Sequence, residues 1–188
     1  MNLNESQKKV LLMAAKARVD SLIRKKPFLP VTSDDPQLND CCGCFVTLKN
    51  NGRLRGCIGQ FVSDIALIEL VQDMAEQAVS ADPRFFSDPV AADELEQLDV
   101  EISVLSPLKR SDEPLGFELG VDGIFIRKGS ASGCFLPQVA LETGWSREEF
   151  LSYCCSQKAG LKADAWKDPD TEVYLFRADV FGKALRDI

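Results

Sequence analysis

The sequence predicts an α+β protein with a largely antiparallel, barrel-like sheet and helices. Two hairpin signals support this prediction: an apolar strand before Asn50-Asn51-Gly52, and another before the glycine- and serine-rich residues 129–133. Asn and Gly accept the positive φ that tight hairpin turns need. Segments with an apolar stripe near a helical period lie around the hairpins. Hairpins mixed with helices, rather than alternating strand–helix units, favour an antiparallel sheet.

The elements are predicted from periodicity and from turn and capping residues. The first helix ends before Pro27, because proline cannot continue a helix. The second is expected to be capped by Ser63 or Asp64, and Pro137 suits the first turn of another helix. The full set is helix 5–26, loop 27–40, strand 41–49, strand 53–58 broken by Gly59, helix to about 80, strand 98–105, hairpin 124–136, helix 147–159 ended by Gly160, and strand 172–180.

A weak internal repeat relates the two hairpins. Gly52-Arg-Leu-Arg-Gly56-Cys57 and Gly129-Ser-Ala-Ser-Gly133-Cys134 share the pattern Gly-x-x-x-Gly-Cys, 77 residues apart. Both segments follow an apolar strand, and both precede a helix. This shared context favours a duplicated strand–hairpin–helix unit, although three identities alone could also arise by chance.

Composition excludes several classes of function. The 188-residue chain contains no histidine, so it can build neither a Ser-His-Asp relay nor an imidazole metal site. Its net charge of −7 argues against sequence-independent nucleic-acid binding, which needs a basic surface. No apolar run approaches the roughly 20 residues of a membrane span. We expect one domain over residues 1–188 and a cytoplasmic location, because residues 1–7 show no signal-peptide core.

The seven cysteines are expected to be reduced thiols. Cys41 and Cys44 have a C-x-x-C spacing, but their segment continues as a strand, whereas redox motifs of this kind begin a helix. A structural zinc site would need a second pair with ligand spacing, which Cys154 and Cys155 lack. The sequence has no glycine fingerprint for a dinucleotide and no P-loop. No metal and no cofactor are therefore predicted.

The segment Leu54-Arg-Gly-Cys-Ile-Gly59 is the most informative one for function. Gly56 and Gly59 would let a ligand or another backbone approach closely. Arg55 would favour the thiolate of Cys57 and hold an anion. This pattern indicates a reactive thiolate or an anion-binding corner. The alternative is a tight hairpin packed around a small buried cysteine.

Three further candidates have plain structural alternatives. Arg84, in the turn Asp82-Pro83-Arg84-Phe85, would bind a substrate carboxylate or phosphate, or would hold its own loop through a nearby aspartate. Glu101 shares a strand face with Ser103 and is the best carboxylate for a general base, since no histidine competes, but it could equally be a solvated charge. Lys158, near a helix C-terminus, could serve only the helix dipole.

Six segments of the chain form a recognisable set in their order and spacing. They are Leu54-Arg-Gly-Cys-Ile-Gly59, Asp82-Pro-Arg-Phe85, Val100-Glu-Ile-Ser-Val-Leu-Ser-Pro-Leu108, Gly120-Val-Asp-Gly-Ile124, Phe135-Leu-Pro-Gln-Val-Ala140 and Lys158-Ala-Gly-Leu161. Together they resemble the family named for the chromosomal region of Alport syndrome, mental retardation, midface hypoplasia and elliptocytosis. The chain is similar to its prokaryotic members, the A component of the AmmeMemoRadiSam system, over about residues 8–181.

The resemblance implies a larger and a smaller subdomain with a cleft between them. It also implies that the candidate residues, together with Pro137, are family positions near that cleft, but it does not settle a reaction. If the site is that of an enzyme, Cys57 and Glu101 would be catalytic. The residues that would then bind substrate are Arg55, Gly56, Gly59, Arg84, Phe85, Ser103 and Lys158. The resemblance also implies that many relatives have histidine at the position of Asp122. Asp122 alone is therefore not predicted to be catalytic.

Two functional hypotheses arise from these residues and the resemblance. The first is an enzyme with a Cys/Arg site that acts on a small anionic substrate or a modified macromolecule. The second is a non-catalytic binding or accessory module for Memo-like and radical S-adenosylmethionine proteins, which the resemblance implies as partners. Direct nucleic-acid binding is a third and weaker idea because of the negative charge.

Overall fold

The computed structural model describes residues 2–188 and consists of helices and antiparallel strands, so the predicted α+β class is confirmed. The helices are supplemented by a 3₁₀ turn over Pro83–Phe85 and a π-helical turn over Cys154–Lys158, among other short turns. The main elements are α1 Glu5–Ile23, β1 Cys44–Asn50, β2 Arg53–Gln60, α2 Leu67–Ser80, β3 Leu98–Leu105, β4 Lys109–Arg110, β5 Gly123–Lys128, β6 Ala131–Phe135, α3 Pro137–Thr143, α4 Arg147–Tyr153, β7 Glu172–Phe176 and β8 Ala178–Ala184.

The strands form two four-stranded sheets. Sheet 1 has the order β2-β1-β3-β8, and sheet 2 has the order β4-β7-β5-β6. The barrel-like closure expected from the sequence is not found within residues 2–188. Each sheet is open, because four strands are too few to close around an interior filled with side chains.

The chain divides into two compact units. Unit 1 runs as far as Leu105 and also includes Asp179–Ile188, and unit 2 is Ser106–Ala178. The single strand predicted over residues 172–180 is two strands, β7 and β8, which are separated at Arg177 and belong to different sheets. The cleft implied by the family resemblance stays a prediction.

Unit 1 packs α1 and α2 on one face of sheet 1. Cys44, Val46 and Leu48 alternate along β1 and are fully buried, which is typical of a strand with one covered face. Helix α2 begins at Leu67 rather than directly after Ser63. The Ser63 hydroxyl instead accepts a hydrogen bond from the N–H of Ile65 in a separate turn.

Unit 2 has its own apolar core, in which Ile124 and Ile126 of β5 pack with Phe150 of α4. Pro137 stands in the first turn of α3, as predicted. The helix predicted over residues 147–159 is α4 followed by the π-helical turn. Gly160, with a φ of +66°, follows this turn and ends the helical segment.

Both units are built on the same order of hairpin, helix and strand. The hairpin β1–β2 is followed by α2 and by β3, which pairs with β1; the hairpin β5–β6 is followed by α3, α4 and β7, which pairs with β5. A Cβ at Gly56 would overlap the carbonyl oxygen of Ala78, and one at Gly133 would overlap the backbone nitrogen of Ala159. Each glycine lets a helical segment contact an edge strand closely.

Candidate functional site

A β-bulge at Arg55 sets the direction of Cys57. Next to the turn, Asn50 pairs with Arg53 and Lys49 pairs with Leu54. The next residue of β1, Leu48, pairs with Gly56, so Arg55 has no partner on β1. This extra residue places Cys57 opposite Thr47. Because alternate residues of a strand face opposite sides, Cys57 faces away from the buried apolar side chains of β1.

Three side chains form a row on the face of sheet 1 opposite helices α1 and α2: Cys57 on β2, Thr47 on β1 and Glu101 on β3. The Thr47 hydroxyl donates a hydrogen bond to the Cys57 sulfur at 3.2 Å. Glu101 is paired with Lys49 at 3.1 Å, and both side chains are about one-third exposed, at 32% and 38%. Glu101 is therefore neither deeply buried nor fully solvated. Ser103, two residues farther along β3, is buried.

The Arg55 side chain is buried and enclosed by its own unit, with 3% of it exposed. Its guanidinium donates to Asp88 and Glu94, each at 2.8 Å, and to the carbonyl of Pro89 at 3.1 Å. The hydrogen bond to Glu94 is the main cause that raises the pKa of Arg55. Since these internal partners take up most of the guanidinium, binding of a substrate anion by Arg55 stays a prediction.

Asp82 and Arg84 clamp the backbone of Cys57. The N–H of Cys57 donates to Asp82 Oδ2 at 2.9 Å, and Arg84 Nη2 donates to the carbonyl of Cys57 at 3.2 Å. The two clamp residues are joined by two hydrogen bonds between guanidinium and carboxylate, at 2.9 and 2.6 Å. These bonds to Arg84 are the main reason that the pKa of Asp82 is lowered to about 2. Arg84 thus holds its own loop through Asp82, which is one of the two alternatives that the sequence leaves open.

Arg84 also keeps donors available to solvent. Its side chain is 54% exposed, and its hydrogen bonds to Asp82 and to the Cys57 carbonyl use Nε and Nη2. The ring of Phe85 lies 5.7 Å from the guanidinium carbons of both Arg84 and Arg55. Contact of Arg84 with a substrate anion is compatible with this geometry and stays a prediction.

The two glycines of the central segment have different surroundings. Gly59 pairs with Phe45, and a Cβ there would overlap the Phe45 ring on the face opposite the helices. Gly56 faces the other way, against Ala78 of α2. Gly56 therefore serves helix packing, while Gly59 makes room for an aromatic ring beside the row. Direct substrate contact by either glycine stays a prediction.

Lys158 and Asp122 lie in unit 2. Lys158 ends the π-helical turn, and its ammonium lies 5.7 Å from the centre of the Phe135 ring. Asp122 accepts the N–H of Glu118 at 3.0 Å and pairs with Arg177 at 3.2 Å, so it stabilises a turn. Participation of Lys158 in the same site as Cys57 stays a prediction.

The other cysteines have distinct environments, and within residues 2–188 none of the seven forms a disulfide. Burial raises the pKa of the Cys42 thiol to about 11, and it raises the pKa of Cys44, Cys154 and Cys155 as well. Cys41 is exposed, and Cys134 is half-buried like Cys57. Within residues 2–188 no group of three or more His, Cys, Asp or Glu side chains is arranged to hold a metal ion.

Sequence reasoning misses the residues that contact Cys57. Counting outward from the two-residue turn without a bulge pairs Cys57 with Val46 on the buried face, and it gives Thr47 no role. In the sequence, Asp82 is notable only as a partner for Arg84, because no local pattern connects it to β2, whose Cys57 lies 25 residues earlier.

Among the helices of residues 2–188, none combines the length and the apolar composition that a membrane span needs.

Comparison with known proteins gives one consistent result. The AMMECR1 family model matches residues 12–181. A protein of Methanothermobacter thermautotrophicus is 39% identical over 186 residues and covers 95% of each chain. A protein of Thermococcus kodakarensis is 41% identical over 182 residues, 91% of this chain and 87% of its own.

A solved structure agrees with these sequence matches. The crystal structure of an uncharacterized protein from Pyrococcus horikoshii superimposes with a TM-score of 0.82 at 37% identity, over 92% of this chain and 89% of that one. The resemblance carried by the six sequence segments is thereby confirmed, and the chain belongs to the AMMECR1 family.

Proposed function

We propose that this protein is an enzyme whose working group is the Cys57 thiol, and that it acts on a small anionic substrate or a modified macromolecule. The observation that carries the proposal is the bulge at Arg55, which directs Cys57 onto the face of sheet 1 opposite the helices. Bulges recur next to active sites because they re-aim a side chain. Without this one, the thiol would face the apolar core.

The residues around Cys57 supply complementary roles. The Thr47 hydroxyl stabilises negative charge on sulfur by donating a hydrogen bond. The guanidinium of Arg84 is the group best suited to hold an anion, since Arg84 is exposed while Arg55 is enclosed. Arg55, Gly56, Gly59 and Phe85 shape this corner rather than contact the reacting atoms.

Glu101 is the candidate base in this proposal. In a nucleophilic reaction the S–H proton passes to a carboxylate, and the sulfur bonds to an electrophilic centre whose leaving group departs with the bonding electron pair. Cys57 and Glu101 are separated by β1, about 10 Å apart at two strand spacings. Thr47 lies between them and donates its own hydrogen to the sulfur, so the thiol proton would travel by way of a water or the substrate.

Alkylation with iodoacetamide tests the thiol proposal. Labelling is followed for each cysteine by mass spectrometry between pH 6 and 9, with exposed Cys41 as the internal reference. We expect Cys57 to react faster than Cys41 at pH 7, although it is less exposed, because the Thr47 hydroxyl donates a hydrogen bond to its sulfur. The Thr47→Val variant should remove the advantage. A Cys57 that reacts more slowly than Cys41 throughout would contradict the proposal.

A second function is favoured by a different observation. Both arginines near Cys57 are paired with carboxylates of the chain, and among residues 2–188 no base directly contacts the thiol. This arrangement suits a binding or accessory module, for which we propose Memo-like and radical S-adenosylmethionine proteins as partners. Co-purification with those proteins tests it. A binding module should keep its partners in the Cys57→Ser variant, whereas an enzyme should lose turnover and retain binding only of substrate.

A further inference from the structure

We infer that Asp82 is the positioning residue of the Cys57 site: its carboxylate, with the guanidinium it holds, replaces a neighbouring strand and locks the bulged register of β2. The functional consequence rests on the proposed role of Cys57. The geometric part does not, because it concerns only the contacts that hold β2.

β2 is an edge strand of sheet 1, so the N–H and C=O groups on its outer side have no strand to pair with. At Cys57 the outward N–H is accepted by Asp82 and the outward carbonyl accepts from Arg84. A further strand would supply one acceptor for this N–H and one donor for this carbonyl. The clamp therefore takes the place of a strand at the edge.

The clamp itself is rigid. The Asp82 side chain is only 2% exposed, and Arg84 neutralises its charge through two hydrogen bonds. Asp82 also accepts the backbone N–H of Arg84, in a turn whose Pro83 has a fixed φ. The carboxylate therefore has a single supported position, and it remains ionised at neutral pH because its pKa is about 2.

The clamp also determines the direction of the thiol. A bulged hairpin competes with the regular hairpin, and a one-residue slip would exchange the two faces of β2 beyond the turn. In the slipped register Cys57 would pair with Val46, its thiol would face the core, and its N–H would turn toward β1. The bond to Asp82 forms only in the bulged register, so Asp82 selects it.

The experiment compares Asp82→Asn and Asp82→Ala with the matched control Asp122→Asn. Asp122 also accepts a backbone N–H and pairs with an arginine, but it belongs to unit 2. Amide hydrogen exchange of Cys57 by NMR reports the clamp directly, and iodoacetamide labelling of Cys57 relative to Cys41 reports the thiol. We expect faster exchange at Cys57, by about tenfold or more, and a labelling ratio that changes by a similar factor. The control should change neither.

The outcomes separate this inference from the proposed function. If Asp82→Ala does not fold, the measurement is made on the isosteric Asp82→Asn variant. Arg84→Lys keeps the positive charge and loses one donor, so its exchange rate at Cys57 should lie between those of the wild type and the Asp82 variants. Unchanged exchange and labelling in a folded Asp82 variant would overturn the inference. Faster exchange at Cys57 in a protein whose wild-type Cys57 is unreactive would support the positioning role and count only against the proposed function.

Discussion

The edge hairpins of the two units occupy the same place in their sheets but differ by one residue. Gly133 and Cys134 of β6 pair with Ile126 and Phe125, without interruption from the turn onward. The corresponding glycine and cysteine of β2 reach their partners only because Arg55 bulges out. Unit 1 therefore carries a specialisation, since the plain hairpin of unit 2 builds the same fold without it.

The side chains beside the two cysteines also distinguish unit 1 from unit 2. In unit 1 the row from Cys57 continues through Thr47 to Glu101. In unit 2 the row from Cys134 continues through Phe125 to Tyr174. A polar row beside a half-buried thiol suits chemistry, whereas an aromatic row suits packing. This contrast favours unit 1 as the place of the candidate site, and paired substitutions at matched positions of the two units test it.

The bulge residue itself should give the greatest loss of stability. Arg55→Ala would leave Asp88 and Glu94 without the buried guanidinium that pairs them, and we expect the free energy of unfolding to fall by about 4 kcal/mol. Arg127→Ala serves as the comparison in unit 2, where the exposed Arg127 of β5 pairs with Glu172, and there we expect little change. Urea unfolding of both variants checks the difference, and equal losses would remove the contrast between the hairpins.

The close glycines are expected to behave alike, because both units use the same helix-to-strand contact. Gly56→Ala would push a Cβ into the carbonyl of Ala78, and Gly133→Ala into the backbone nitrogen of Ala159. We expect each to lower the free energy of unfolding by about 3 kcal/mol, since backbone atoms cannot move aside cheaply. Ser132→Ala, beside Gly133 but exposed, serves as the control in urea unfolding. A small loss at one glycine only would mean that the two units are not built alike.

The sequence predicts most of this fold because its patterns are local. Strand β3 lies over residues 98–105, as predicted, since alternating apolar residues carry their own periodicity. The bulge cannot be read in the same way. Arg55 looks like an ordinary strand residue, and the contacts that favour its bulged position come from Asp88 and Glu94, more than 30 residues later.

The candidate site shows the same limit more strongly. The sequence pattern points to Cys57 as a residue of interest, but the face on which its thiol lies depends on the bulge. The partner of Glu101 is Lys49, which lies diagonally across two paired strands and is visible only once their register is known. Residue types therefore identify candidates, while register and long-range contacts decide what each candidate touches.

Acid sensitivity should separate the buried carboxylate of unit 1 from an exposed one in unit 2. The pKa of Asp82 is lowered to about 2 in the folded state, so its stabilising effect is complete above about pH 4 and is lost as the pH falls toward 2. We expect Asp82→Asn to be about 2 kcal/mol less stable than wild type at pH 5, with the difference closing by pH 2. Asp168 forms an exposed pair with Lys128, so Asp168→Asn should hardly change how the free energy of unfolding depends on pH in this range. Urea unfolding between pH 2 and 5 measures both, and a difference that persists at pH 2 would mean that charge is not the cause.

The two turns should show the mildest differences, and here the sequence repeat is misleading. Gly52 and Gly129 match in sequence, but the bulge makes Asn51, not Gly52, the structural counterpart of Gly129. The φ values agree with this: Asn51 and Gly52 are both positive, at +49° and +80°, while the second turn has a positive φ only at Gly129, at +59°. An alanine at Gly52 or Gly129 would meet no neighbouring atom, so each substitution should lower the free energy of unfolding by about 1 kcal/mol through backbone conformation alone.

The informative change is Asn51→Gly. It should leave the free energy of unfolding unchanged or raise it slightly, because glycine adopts a positive φ without strain. A clear loss on Asn51→Gly, measured by urea unfolding, would show that the Asn51 side chain rather than its φ holds the first turn and fixes the starting point of the bulged register.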